Sequence, residues 1–378
     1  MEKKWKFSFV FLLPILVVLS FWNYNNRVYD WDMPGYIGSM YISQYPNNPQ
    51  KVQELTYNSI RKEAPANHYN DLIGKNPKDI ARQYFEKDTK AFSEQLPYFQ
   101  IKVGYNLTIF VLYKIGFTAP MSVLFLSIIS YFFSGILLFF IFKIVFPNNV
   151  LIGFFATVGI LLLPPMTYMA RVSMPDMFIL QFLLIFMIGL FNHWGKWIMF
   201  LILFGITFIR PDYITFTLTY LVSSLIFIFY EKRKIDFTII LQAGILFLLH
   251  IFILKFYHYP GWKNLFYDSF IYRRPIISEE AADFGIKDYL QILFRKIIYF
   301  KKVSLIAFSS LGLIFYMSKD NRTRFYSVLI FANIYIKFVF FPHSSGLRFF
   351  FGFILLLLIM LFYAISQRYN RVELDKIS

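Results

Sequence analysis

Apolar runs broken by short polar interruptions recur along most of the chain after Thr118, and one more precedes them near the amino terminus. A bilayer core of about 30 Å takes roughly 20 apolar residues per helix. On that measure the pattern predicts ten spans: 7–22, 120–142, 150–163, 177–191, 197–209, 213–230, 237–256, 303–317, 325–341 and 349–366. The stretch 103–117 is apolar too, but it is shorter and contains Lys114, so it reads as a partial or interfacial helix. The expected fold is an all-α polytopic membrane protein forming one transmembrane domain over 1–378.

Two long polar stretches interrupt the pattern, 23–102 and 257–302. The first mixes acidic, basic and aromatic residues as a folded segment does. Within it Asn48-Pro49 and Asn76-Pro77 each pair a capping residue with a proline at a first helical position. Ile80, Tyr84 and Phe85 then line one face, the pattern of a helix lying along the membrane interface. The second carries Arg273-Arg274, Glu279-Glu280 and Asp283, and ends on Arg295, Lys296, Lys301 and Lys302.

Charge orients these segments. The basic start Met1-Glu2-Lys3-Lys4-Trp5-Lys6 should remain in the cytoplasm. With ten spans, Lys143, Lys196, Glu231-Lys232-Arg233-Lys234, the loop 319–324 and the tail 368–376 all fall on that side. Both long polar stretches are then extracytoplasmic loops, and both termini are cytoplasmic. The basic end of 257–302 runs against the rule, which long loops follow less strictly. A full crossing by 103–117 would reverse every later loop. No small-residue cleavage site follows 7–22, so that span is expected to be a retained anchor.

Composition narrows the function. The chain has 378 residues, of which 57% are hydrophobic and 22% aromatic, and its mean hydropathy is +0.52, far too apolar for an ordinary soluble domain. The net charge of +16 suits anionic head groups of a plasma (inner) membrane. No basic stripe interleaved with aromatics points to nucleic acid. The absence of cysteine excludes disulfide and thiol chemistry. No glycine-rich phosphate loop supports an ATP-driven pump. None of the ten spans contains Asp or Glu, unlike many ion-coupled carriers. The histidines, His68, His193, His250, His258 and His343, lack the close pairing of a zinc site.

The chemistry is therefore expected at the outer surface. Asp30-Trp31-Asp32 follows the first span, and two carboxylates there suit a general base, or a site for a divalent cation that neutralises a phosphate. No cofactor is fixed by the sequence. The alternative for Asp32 is a helix cap, with Pro34 and Tyr36 in the first turns. Arg171 before Met174-Pro175-Asp176, Arg210 opening Arg210-Pro211-Asp212-Tyr213, and Arg348 after His343-Ser344-Ser345-Gly346-Leu347 share the face of Asp32, as does Lys102. Arginine forks suit bidentate phosphate contact, although a single arginine at a helix end commonly snorkels. Lys255 and Lys337, inside spans near an outer end, read as snorkelling residues.

This arrangement resembles the GT-C superfamily of polyprenyl-phosphate-sugar-dependent glycosyltransferases, such as protein O-mannosyltransferases and lipid A aminoarabinose transferases. The residues that carry the resemblance are Asp30-Trp31-Asp32, Asp32-Met33-Pro34-Gly35-Tyr36, Tyr98-Phe99-Gln100-Ile101-Lys102, Asp176, Arg210-Pro211-Asp212 and Arg348-Phe349. It implies an inverting transferase of the cell envelope that moves a sugar from a polyprenyl-phosphate donor to an acceptor hydroxyl. Asp32 would be the base, with Asp30 as second acid. Lys102, Arg171, Arg210 and Arg348 would hold the donor phosphate, with Tyr36, Asp176 and Asp212 as further candidates. The acceptor would be a glycan, lipid or protein, recognised by the outer loops because no soluble carboxy-terminal domain follows. The alternative is an envelope polysaccharide polymerase, ligase or flippase.

Overall fold

The computed structural model describes residues 2–76, 79–343 and 347–377, with side chains from 3 to 369 within those stretches. Every regular element among them is a helix. Helix α1 (Glu2–Asn25) leads into six short helices: α2 (Met33–Ile42), α3 (Pro49–Glu63), α4 (Ala66–Leu72), α5 (Ile80–Lys87), α6 (Thr89–Gln95) and α7 (Pro97–Gln100). Then come α8 (Val103–Lys114), α9 (Ala119–Val145), α10 (Val150–Leu161), α11 (Pro164–Arg171), α12 (Asp176–Phe191) and α13 (Lys196–Ile209). A 3-10 turn, Pro211–Tyr213, opens α14 (Ile214–Lys232), followed by α15 (Phe237–Phe256) and α16 (Trp262–Phe270). The chain finishes with α17 (Ile286–Tyr299), α18 (Lys301–Met317), α19 (Asn321–Phe340) and α20 (Arg348–Ile377).

Among the described residues six helices, α1, α9, α14 with its opening turn, α15, α19 and α20, are long and apolar enough to cross a membrane. The count reaches eight if each of two bent pairs is one span: α10 meets α11 at 54°, and α17 meets α18 at 70°. The first bend follows from Pro164-Pro165, which forces Leu163 into extended backbone with ψ 137. Helices α12 and α13 have 16 and 14 residues, or about 24 and 21 Å, short of a core of about 30 Å. Each of the ten expected stretches is helical over most of its length, but six to eight have the length of a span. Hydropathy counts apolar residues, not the unbroken helix that has to carry them.

In lipid the hydrophobic effect does not draw helices together, so close approach of small residues matters more. Ser122, Ser127, Ser130, Ser134 and Gly135 of α9 are all buried or closely packed, and α9 gathers α1, α10, α11 and α12 around itself. A Cβ at Gly135 would run into the Leu16 side chain of α1. One end of the bundle is tied by Trp5 Nε1 donating to the Pro147 carbonyl (2.9 Å) and by Ser366 Oγ donating to the Val145 carbonyl (2.6 Å). There Lys196 pairs with Asp236. The other end is tied by the Val28 N–H to the Arg171 carbonyl (2.8 Å) and by Ser127 Oγ to the Val172 carbonyl (2.8 Å).

The segment 23–102 is folded, as its composition suggested. Asn48 caps α3 by accepting from the Lys51 N–H at 3.0 Å, with Pro49 in the first turn. Of the second expected cap, Pro77 lies outside the described residues, and α5 begins later, after Asp79. The single interfacial face expected for Ile80, Tyr84 and Phe85 is split. Ala81 and Phe85 are buried while Ile80 and Tyr84 are exposed, because the two pairs are offset by one residue, about 100° around the helix. Helix α8 stops after 12 residues and exposes Leu107 and Val111 in one stripe, as a partial helix does.

Segment 257–302 packs onto the first. The Tyr98 hydroxyl donates to Asp268 Oδ2 (2.8 Å), and Asp268 takes both forks of Arg274 (2.7 and 3.0 Å). Ser278 donates to Glu94 through its N–H (2.8 Å) and its hydroxyl (2.6 Å). The basic residues that sat awkwardly with an outer loop ride on α17 and the start of α18. Helix α17 buries no residue and exposes Ile286, Leu290, Phe294, Ile297 and Ile298 on one face. Apolar stripe and basic face together are the composition of a helix for a head-group region.

Candidate functional site

Asp30 and Asp32 stand where α1 hands over to α2, at the end of the bundle that also carries Arg171, Asp176, Arg210 and Arg348. Asp30 is buried; its Oδ2 accepts the Ser173 N–H at 3.1 Å, and its Oδ1 has no partner. Burial, then the charge of Asp32, pushes its carboxyl up to about 8. Asp32 occupies the cap position of α2, where its carbonyl accepts from Gly35 (3.1 Å) and Tyr36 (3.4 Å), but its side chain makes no capping bond. That carboxylate is half-buried and free for another partner. Burial raises its affinity for protons, opposed by the positive charges of Arg348 and Lys102.

Helix α2 owes its position to two glycines. A Cβ at Gly35 would meet the Phe99 ring at 2.5 Å, and one at Gly38 would meet Leu96 and Phe92 at 2.7 Å. With α2 pressed on α6 and α7, the Lys102 ammonium comes over the rings of Tyr36 (5.1 Å) and Phe99 (5.0 Å) and donates to the Tyr98 carbonyl (3.2 Å). Burial, joined by repulsion from Arg210, lowers the Lys102 pKa to about 8. The Arg348 guanidinium lies over Phe349 (4.6 Å) and Tyr168 (5.7 Å), and its Nη1 rests on the Met174 sulfur. Neither cation pairs with a carboxylate among the described residues.

Arg210 is differently placed. Its Nη1 holds Asp176 at 2.6 Å, while Nε and Nη2 grip Asp212 at 3.1 and 2.9 Å. The fork is thus largely occupied by two acids. Arg171 donates to the Thr167 carbonyl (3.0 Å) and lies over Trp22 (5.3 Å). It is not among the charges that bear most on Asp30 or Asp32. Of the motif before Arg348, Ser344, Ser345 and Gly346 lie outside the described residues, as do the side chains of 370–376 in the tail. His343 is half-buried against Phe349 (4.3 Å), and burial with Arg348 nearby drives its pKa down to about 4, so it adds no charge.

Two basic residues of the site escaped the sequence reading. Lys337 of α19 donates to the Tyr213 hydroxyl at 3.2 Å and lies within electrostatic reach of Arg210, Asp212 and Asp176. Its place inside an apolar run made it look like a snorkelling residue. Arg273, from segment 257–302, lies within electrostatic reach of Asp32; its neighbour Arg274 is consumed by Asp268. As for a metal, no group of three or more His, Asp or Glu side chains suited to hold one occurs among the described residues. A divalent cation at Asp30 and Asp32 would have those two carboxylates alone.

The site thus joins two acids of raised proton affinity to three uncommitted cations, Lys102, Lys337 and Arg348, beside a saturated Arg210 cluster. No protein family, curated protein or solved structure matches this chain.

Proposed function

We propose that this membrane protein is an inverting glycosyltransferase of the GT-C type, moving a sugar from a polyprenyl-phosphate donor to an acceptor hydroxyl on the extracytoplasmic side of the plasma membrane. The observation that carries this reading is Asp32, a half-buried carboxylate at a cap position that makes no capping bond, faced by the unpaired cations Lys102 and Arg348. A base of raised pKa is better matched to taking a hydroxyl proton near neutral pH than an ordinary aspartate.

In this mechanism Asp32 accepts the proton of the acceptor hydroxyl as its oxygen attacks the anomeric carbon. The bond to the polyprenyl-phosphate oxygen breaks on the opposite face, inverting the centre. The departing phosphate keeps the electron pair and is stabilised by Lys102 and Arg348, charges already in place before the reaction. Lys337 extends this cationic set. Arg210 keeps Asp176 and Asp212 paired, so that neither repels the donor phosphate. The ten-span topology belongs to the same proposal: α12 and α13 then cross a locally thinned bilayer.

The test is transfer of radiolabelled sugar from polyprenyl-phosphate donors by wild-type protein and by Asp32→Asn, which keeps the shape and removes the base. Loss of at least 100-fold in a normally folded variant is expected, in line with the contribution of a general base. Full activity in Asp32→Asn removes Asp32 as the base, and no transfer by the wild type removes the reading. Movement of a lipid-linked sugar across vesicles with no transfer would instead favour a flippase.

A further inference from the structure

Next to Asp32 a small cleft opens between the start of α2, the helices α5 and α6, and the second outer segment. Trp31 forms one wall and remains 37% exposed. Two guanidinium groups lie over its ring, Arg82 at 5.4 Å and Arg273 at 5.3 Å. Arg82 is committed to Asp71 (3.8 Å) and Asp79 (3.6 Å). Arg273 is not: its Nη2 donates to the neutral amide of Gln95 at 2.7 Å, and it pairs with no carboxylate among the described residues. Gln95 is 3% exposed and lines the cleft, and its Nε2 has no partner. A buried amide donor without a partner is costly, so the half-buried Arg273 cation and the buried Gln95 donor here call for an acceptor of negative charge.

Size narrows the occupant. The enclosed space is about 20 Å³, room for roughly one water. One or two oxygens of an anionic group enter; a sugar ring does not, and would lie outside across Trp31. Trp31 and Pro34, which line the cleft, flank Asp32 in the chain, and Phe99, which also lines it, lies under the Lys102 ammonium, so the cleft adjoins the residues proposed for the reaction.

We infer that this cleft is the acceptor subsite, and that Trp31, Gln95 and Arg273 recognise a carboxylate or phosphate borne by the acceptor glycan. The inference rests on the transferase reading above and adds the substrate class: an acidic sugar rather than a neutral one. Arg273 and Gln95 are specificity-determining residues here, not part of the base or of the donor-phosphate site.

The test is a fluorescence titration of the full chain in phosphatidylcholine nanodiscs with glucuronate, glucose 6-phosphate and glucose, with Trp31→Phe assigning the signal. Both anions should change the emission of Trp31, and glucose at equal concentration should not. Gln95→Glu places a carboxylate where the amide stood and neutralises Arg273 without loss of volume; it should weaken both anions at least tenfold with the unfolding temperature retained. Arg273→Gln should weaken them likewise. Equal response to glucose, no response to either anion, unchanged affinity in Gln95→Glu, or a signal that survives Trp31→Phe overturns the inference. A response seen only when phosphatidylglycerol is added to the disc overturns it too, in favour of a lipid head group. The two proposals fail separately: transfer by the wild type that is abolished in Asp32→Asn, with no glucuronate binding, removes the acidic acceptor alone, whereas glucuronate binding with no transfer by the wild type removes the transferase.

Discussion

Asp30→Asn offers the sharpest physical test of the acid pair. The Asp30 carboxyl is 8% exposed, with one oxygen on the Ser173 N–H and the other unpartnered. Burial and the neighbouring Asp32 lift it from 3.8 to about 8. Between those values the native state retains a proton that the unfolded chain has released, so stability falls as pH rises through that window. The slope is about 1.4 kcal/mol per pH unit, hence about 3 kcal/mol between pH 5 and pH 7. Asparagine does not titrate, and its amide oxygen can accept the Ser173 N–H as the carboxyl does. Relative to wild type, the variant should therefore gain about 3 kcal/mol from pH 5 to pH 7 by the same relation. Thermal unfolding followed by tryptophan emission in one detergent across that range measures the difference. Parallel pH dependences in the two proteins would refute a neutral, buried Asp30.

Two other outcomes follow from the same geometry. Gly35→Ala drives a methyl group into the Phe99 ring, 2.5 Å away; overpacking of this kind costs about 1–3 kcal/mol, and the displaced α2 should carry Asp32 out of register, so both the melting temperature and the transfer rate should fall, and unchanged values would contradict the packing described. Lys102, lowered to about 8, loses its charge as pH rises through that value, so transfer should decline on the alkaline side near pH 8; Lys102→Arg stays charged and should move the decline upwards, and an unmoved limb would remove Lys102 from phosphate binding.

Much of this was legible in the residues. The apolar stretches are helical, Asn48 caps where capping chemistry put it, and Asp30, Asp32, Lys102, Arg210 and Arg348 do come to one end of the bundle. Their positions at the ends of apolar stretches sufficed for that. What did not show is how each helix is rotated. Arg210 meets Asp176, 34 residues earlier, and Asp212, two residues later, because the 3-10 turn at Pro211–Tyr213 folds the chain back on itself. Arg273 and Arg274 are adjacent in sequence, yet one faces Trp31 and the other is buried against Asp268. Lys337 points inward to Tyr213. Hydropathy records that these residues are charged, not which neighbour they turn to.

The ties between segments 23–102 and 257–302 also fix an order of assembly. Tyr98 and Asp268 are 170 residues apart, and Glu94 and Ser278 are 184 apart. At roughly 5–20 residues per second of synthesis, the early helices wait roughly 10–40 s for their partners to emerge. During that interval Tyr98, Glu94 and Gln95 have no second segment to bind, and Asp32 stands beside a half-built wall. The acid pair is among the first parts of the chain to be made and among the last to be enclosed.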